Sequence, residues 1–244
     1  MGGSPMKQIA HIETPFKEKF GVPRQAGLVD YEARVVFEPE YRVAEAVRGL
    51  EEFDYIWLIW QFHLVSDEGG VMSDELADAN KNSSLITHHS SFKATVRPPR
   101  LGGNKRVGVF ATRSPFRPNP IGLSCVRLLR IESGPVLVVT GADMVDGTPI
   151  LDIKPYIPYA DSHPDARSGF APQAPQPLLQ VVDDHGLLQQ LPENERMALE
   201  QTLRQDPRPH YQHDPLRVYA MTFGRHEVRF RVTDDSIEVM DVKM

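Results

Sequence analysis

The segment FATRSPFRPNPIG, residues 110–122, sets Arg113 and Arg117 among Pro115, Pro118 and Pro120. Each proline fixes its own φ, so the two guanidinium groups have little backbone freedom left to lose on binding. Arginine offers a planar fork of donors that suits two-point contact with carboxylate or phosphate. Asn119 adds an amide that both donates and accepts. From Lys93 to Arg130 the chain has nine Lys or Arg and no Asp or Glu, although the whole protein carries a net charge of −6. A basic block inside an acidic chain reads as a docking surface for an anion, such as a phosphate backbone.

Three further segments carry groups able to do chemistry. FKEKFGVPRQAG, residues 16–27, contains Pro23, Arg24 and Gln25. It places an anion-binding fork on a stiffened approach, or is a turn with an exposed arginine. Trp57–Leu64, WLIWQFHL, alternates so that Trp57, Ile59, Gln61 and His63 share one strand face. His63 ends the strand at a rim, where it is either a structural histidine or a ligand contact. In DMVDGTPILDIKPY, residues 143–156, Asp146-Gly147 reads as a tight turn. Beyond it Asp152, Lys154 and Tyr156 share a face, with roughly 6–7 Å between alternate residues. They could orient a polar substrate, or form a salt bridge beside an edge tyrosine.

Several chemistries are disfavoured. No GxGxxG follows a strand and no GxxxxGK[ST] occurs, so Rossmann and P-loop nucleotide binding fail. There is no GxSxG and no CxxC, and His226-Glu227 lacks the second histidine of a zinc helix. His88-His89 lies in an irregular stretch and reads as two solvated histidines; no metal site is expected. The single cysteine, Cys125, excludes an internal disulfide and fits a reducing, cytoplasmic setting. It sits in an apolar run and reads as a buried, inert thiol. No apolar run is long enough to span a bilayer.

The elements that must position these groups are mostly strands. Alternation marks Lys7–Glu13, Val35–Phe37, Tyr55–His63, Arg106–Ala111, Gly122–Ile131, Val136–Gly141 and Pro149–Tyr156, with one short helix at Val43–Gly49. Residues 1–6 read as a frayed terminus and 7–157 as a mainly β, antiparallel barrel. Residues 66–92 form a long irregular loop, a lid or a disordered excursion. Residues 158–177 are a Pro-rich linker. Residues 178–244 are a small α+β domain with a helix at Leu191–Gln205 and strands at Leu216–Phe223, Glu227–Val232 and Ser236–Val242.

Together FKEKFGVPRQ, AVRGLE, RPPRLGGN, GVFATRSPFRPNPIG, DGTPILDIKPYIP and QDPRPHY resemble the TrmO (TsaA-like, YaeB-like) family of tRNA adenosine-37 N6-methyltransferases. The likeness covers nearly the whole chain. It implies a barrel that binds S-adenosylmethionine without a Rossmann fold, and N6-threonylcarbamoyladenosine at position 37 of tRNA as methyl acceptor. It also implies a homodimer whose active site can draw on both subunits. The cofactor contacts carried over by motif are Pro23, Arg24, Gln25, His63, Leu64, Arg113, Leu123, Asp146, Gly147, Thr148 and Pro149.

On that footing Asp152 is the expected base at N6, with Lys154 or Tyr156 stabilising charge on the ureido oxygen. Arg113 or Arg117 would meet the threonyl carboxylate. Arg117, Asn119, Arg208 and Tyr211 are expected on the RNA side, with Tyr211 stacking on a loop base. The competing readings are a non-catalytic barrel that binds a nucleotide or modified tRNA, and a methyltransferase acting on a small metabolite.

Overall fold

The computed structural model describes residues 6–64, 92–101, 105–172, 179–208, 214–233 and 235–243. The chain runs β1 (Ala10–Glu13), β2 (Glu32–Phe37), β3 (Tyr55–Gln61), β4 (Thr95–Val96), β5 (Val107–Gly108), β6 (Ile121–Glu132), β7 (Val136–Thr140) and β8 (Thr148–Pro155). It continues through α1 (Pro158–Asp161), β9 (Gln180–Val182), α2 (Glu193–Arg204), β10 (Val218–Phe223), β11 (His226–Val232) and β12 (Ser236–Lys243). Six strands close a barrel in the order β1-β2-β7-β6-β3-β8, every pair antiparallel. Alternation explains the closure. Ile56, Leu58 and Trp60 of β3 point inward with Ala33, Val35 and Phe37 of β2, and all six are buried.

Two departures from the sequence reading replace a strand and a helix with 3-10 turns. Residues 106–111 do not form one strand: β5 is followed at once by a 3-10 turn, Val109–Ala111. Arg117 closes this turn by donating from Nη1 to the carbonyls of Val109 (3.2 Å) and Thr112 (2.7 Å). The short helix expected at 43–49 is instead a pair of 3-10 turns, Ala44–Val47 and Leu50–Glu52, separated at Gly49, whose φ is 86°. Residues 65–91, with His88-His89, lie outside the described residues, as do 173–178 of the linker and Tyr211.

The second domain is a four-stranded sheet in the order β10-β11-β12-β9. Strand β9 runs parallel to β12, and α2 buries Ala198, Leu199, Thr202 and Leu203. This sheet shares its core with the barrel through residues 14–31. Phe16 packs edge-on to Tyr31 (5.1 Å) and Phe223 (5.5 Å). Phe20 stacks on Tyr219 and Phe230. The Gly224 N–H donates to the Pro15 carbonyl at 2.6 Å. Gly21 has φ 89°, and a Cβ there would sit 2.4 Å from Met221 Cε, so no larger side chain fits without displacing it.

Candidate active site

One end of the barrel is open, and the mouth holds a cavity of about 680 Å³. Trp60, Phe62, His63 and Leu64 line it from the end of β3, and Ile121, Gly122 and Leu123 from the start of β6. The proline-braced loop contributes Thr112, Arg113, Pro115, Phe116 and Arg117. The β7–β8 connection contributes Asp143, Met144 and Val145, with Thr148 behind them. Lys19, Val22, Pro23 and Arg24 close the remaining side. Gly122 lies opposite Trp60 in the β3–β6 register, and the indole lies over its backbone. A Cβ at Gly122 would come within 2.1 Å of Trp60 Cε2. Only glycine at 122 leaves room for the ring that forms this wall.

Asp143 is the carboxyl of the cavity, half-buried at its wall. The Trp60 Nε1–H donates to Ser124 Oγ at 2.9 Å, and Ser124 Oγ–H donates to Asp143 Oδ1 at 2.5 Å. Trp60 and Ser124 are themselves buried, so this relay lies away from bulk water. Burial pushes the Asp143 carboxyl above its ordinary value, while the Ser124 bond and the nearby Arg113 charge pull it down less strongly. Asp143 in turn adds to the burial that lifts the Tyr31 phenol.

Four cations line the same cavity: Lys19, Arg24, Arg113 and Arg117. Arg24 Nη2 donates to the carbonyls of Asp206 and Arg208, each at 3.4 Å, and burial lowers the proton affinity of its guanidinium. Asp206 has φ 52°, the single positive φ outside glycine among the described residues. Its carboxylate accepts from Arg208 Nε at 3.1 Å. Arg117 is spent largely on the loop it closes. Arg113 differs: among the described residues its guanidinium has no hydrogen-bonded or ion-paired partner, and it acts on Asp143 through space.

Two family models match the chain in tandem: the tRNA-methyltransferase O N-terminal domain over residues 11–162, and the TrmO C-terminal domain over residues 171–244. The chain belongs to the TrmO family. It is 40% identical to the tRNA (adenine(37)-N6)-methyltransferase of Escherichia coli K12, over 98% of this chain and 97% of that protein. It is also 40% identical to a Pseudomonas aeruginosa protein provisionally named an S-adenosylmethionine-dependent methyltransferase, over 96% of this chain and 95% of that one. A crystal structure of TrmO from Pseudomonas aeruginosa superposes with a TM-score of 0.73 at 33% identity, covering all of both chains.

Within this TrmO fold the motif residues divide. Pro23, Arg24, His63, Leu64, Arg113, Arg117, Leu123 and Thr148 line the cavity; Gln25 and Asn119 do not. Asp146, Gly147 and Pro149 also lie off its wall. The Asp146 carboxylate accepts from the Thr14 N–H and from Lys17 Nζ, each at 2.8 Å. The Gly147 N–H donates to the Ile12 carbonyl, and Pro149 pairs with His11 across β1 and β8. These residues hold the turn whose neighbours reach the cavity.

Asp152, Lys154 and Tyr156 do not line the cavity of their own chain. Lys154 Nζ pairs with Asp152 Oδ2 at 3.0 Å, and Tyr156 packs against Tyr55 and Trp57. A bulge explains the placement. Ile59 opposes Asp152, but the next residue, Trp60, opposes Ile150, so Leu151 is extra. Thr148 and Ile150 therefore face inward and are buried, whereas Asp152 and Lys154 face outward. The sequence reading did not single out Asp143, Trp60 or Met144. A lone Asp after Gly-Ala carries no spacing signal. Among the described residues, no group of three or more His, Cys, Asp or Glu converges on a metal position.

Proposed function

We propose that this chain methylates N6 of N6-threonylcarbamoyladenosine at position 37 of tRNA, with S-adenosylmethionine as methyl donor. Its activity class, tRNA (adenine-37-N6) methylation, is that of its family. The observation that carries the finer reading is Arg113, a cation without a bonded partner among the described residues, facing a cavity that holds a half-buried carboxyl. A threonyl carboxylate is a natural partner for that fork. Plain adenosine would leave it unpaired, which is how a site rejects an analogue lacking one polar group.

The donor set fits the cofactor. The cavity volume falls within the range of small-molecule sites. Trp60, Phe62 and Phe116 offer aromatic faces for a purine or a cation. Arg24 can meet the carboxylate of the cofactor. S-adenosylmethionine, when bound, supplies a methyl group already activated by a sulfonium charge. The chain must then orient the acceptor and relieve it of a proton. The N6 lone pair is delocalised into purine and carbamoyl, so loss of the N6 proton is needed to make it a competent nucleophile. Asp143 accepts that proton, its burial bringing its basicity closer to the working pH. Labelled S-adenosylmethionine and purified tRNA, with or without threonylcarbamoyl, test the reading. Label is expected in the modified tRNA only. Label in neither tRNA overturns it.

A second copy of the chain completes the proposal. The outer face of β3 and β6 presents Tyr55, Trp57, Ile59, Leu123 and Cys125, with Leu123 shared between this face and the cavity. Leu123 is 54% exposed, so apolar surface continues from the cavity mouth onto the barrel wall. A homodimer built on this face would carry the partner's Asp152, Lys154 and Tyr156 toward the mouth, the one route by which that trio reaches a reacting base. Mixing Asp152→Asn with Arg113→Ala subunits is the check. If the trio acts across the interface, the mixture regains about a quarter of wild-type rate, because subunits pair at random and each mixed dimer keeps one intact site. Full activity of Asp152→Asn alone removes Asp152 from the chemistry.

A further inference from the structure

Phe110 is a large apolar side chain turned outward within the basic stretch 93–130. It occupies the middle of the 3-10 turn Val109–Ala111, which buries Val109 and leaves Phe110 71% exposed. The turn is not slack: the Arg117 bonds to Val109 and Thr112 fix it, and Thr112 Oγ1 donates to the Val109 carbonyl at 2.8 Å. Phe92, half exposed, lies alongside with ring centroids 6.4 Å apart and planes 29° from parallel. The Arg117 guanidinium sits 5.5 Å from the Phe110 centroid. The flanking segments carry Lys93, Arg97, Lys105 and Arg106, of which Arg97, Lys105 and Arg106 are exposed. Arg106 Nη1 donates to Thr95 Oγ1 at 3.1 Å, bonding the residue before β5 to the first residue of β4.

Val109 takes the buried position of the turn, so packing sets no requirement for an aromatic ring at 110. Charge selects the occupant. Aromatic faces set among cations, with no acid between residues 93 and 130, match unpaired nucleobases on a phosphate backbone. An apolar protein partner would call for continuous apolar surface, and here the two rings are islands. We infer that Phe110, with Phe92 beside it, is a stacking platform for an unpaired RNA base neighbouring the target adenosine. This rests on the tRNA reading above and adds the group that holds the loop splayed. It puts the base-stacking contact on the barrel domain, at the edge of the loop whose Thr112 and Arg113 line the cavity.

The probe is an anticodon stem-loop RNA with 2-aminopurine beside the target adenosine, titrated with wild type, Phe110→Ala and Phe110→Trp. The wild type is expected to change the 2-aminopurine fluorescence on binding. Phe110→Ala is expected to weaken binding by about 5- to 100-fold and remove that change. Phe110→Trp should retain both. Affinity for S-adenosylmethionine, measured by calorimetry without RNA, should stay within about twofold in each variant, because the ring lies outside the cavity lining. Unchanged RNA affinity and fluorescence in Phe110→Ala overturn the inference, as does a parallel loss of cofactor affinity, which would make the ring a structural prop. Absence of methyl incorporation into tRNA by the wild type would instead sink the functional reading beneath it.

Discussion

Asp143→Asn is expected to lower kcat by about 100- to 10,000-fold while making the protein more stable at neutral pH. The loss is the span seen when a positioned acid–base group is removed. The geometry should survive, since an amide oxygen can still accept from Ser124 Oγ at the place of Oδ1. The gain in stability follows from linkage. Burial is the largest influence on the Asp143 carboxyl and raises it above its ordinary 3.8. Between 3.8 and that raised value the native chain binds more protons than the unfolded one. Wild-type stability therefore falls as pH rises through this window, and the whole deficit is present above it. The variant has no such deficit. Below 3.8 the two proteins should melt together. At neutral pH the variant should melt higher, by about 2–4 °C for each kcal/mol recovered in a chain of this size. Melting curves across pH, beside a pH–rate profile, check both halves. A variant that keeps wild-type kcat removes Asp143 as base; one that melts lower at neutral pH contradicts the burial argument.

Arg113→Ala should cost about 100- to 1,000-fold in kcat/KM on threonylcarbamoylated tRNA, the range for truncating one side of a desolvated charge pair. Arg113→Lys should recover only part of it, because an ammonium cannot make the two parallel contacts of a planar fork. On unmodified tRNA, wild type and variant should be equally poor. A second effect distinguishes this role from a general loss of RNA affinity. The Arg113 charge holds the Asp143 carboxyl down. Without it that carboxyl rises further, so the ascending limb of the pH–rate profile should shift to higher pH in Arg113→Ala. Equal kcat/KM on modified tRNA for wild type and Arg113→Ala would remove Arg113 from carboxylate recognition.

The barrel could be read from the chain because alternation is a local property. Tyr55–Gln61 and His226–Val232 alternate cleanly and form strands over those spans. The basic block was equally plain, since charge needs no fold to be counted. What escaped depended on partners distant in sequence. Strand β9 has three residues, and its parallel register is set wholly by β12. Residues 106–111 carry strand-forming side chains, yet contacts from Arg117 bend them into a turn. Asp152, Lys154 and Tyr156 do share a face, as their spacing implies. Spacing alone cannot reveal the extra residue at Leu151, which sends that face outward. Asp143 was hidden for a related reason: its hydrogen-bond partners, the Ala26 backbone and Ser124, come from distant parts of the chain.

Residues 14–31 belong to both halves of the molecule at once. Their aromatic side chains are covered by the distal sheet, while their far end carries the arginine that looks into the barrel mouth. The catalytic end and the tail cannot then be exchanged or trimmed as independent modules. Cutting the chain after residue 172 would uncover Phe16 and Phe20 and take away the carbonyls that aim Arg24. The tail thus buttresses the barrel mouth from behind, by covering two aromatic rings and by holding one guanidinium in place.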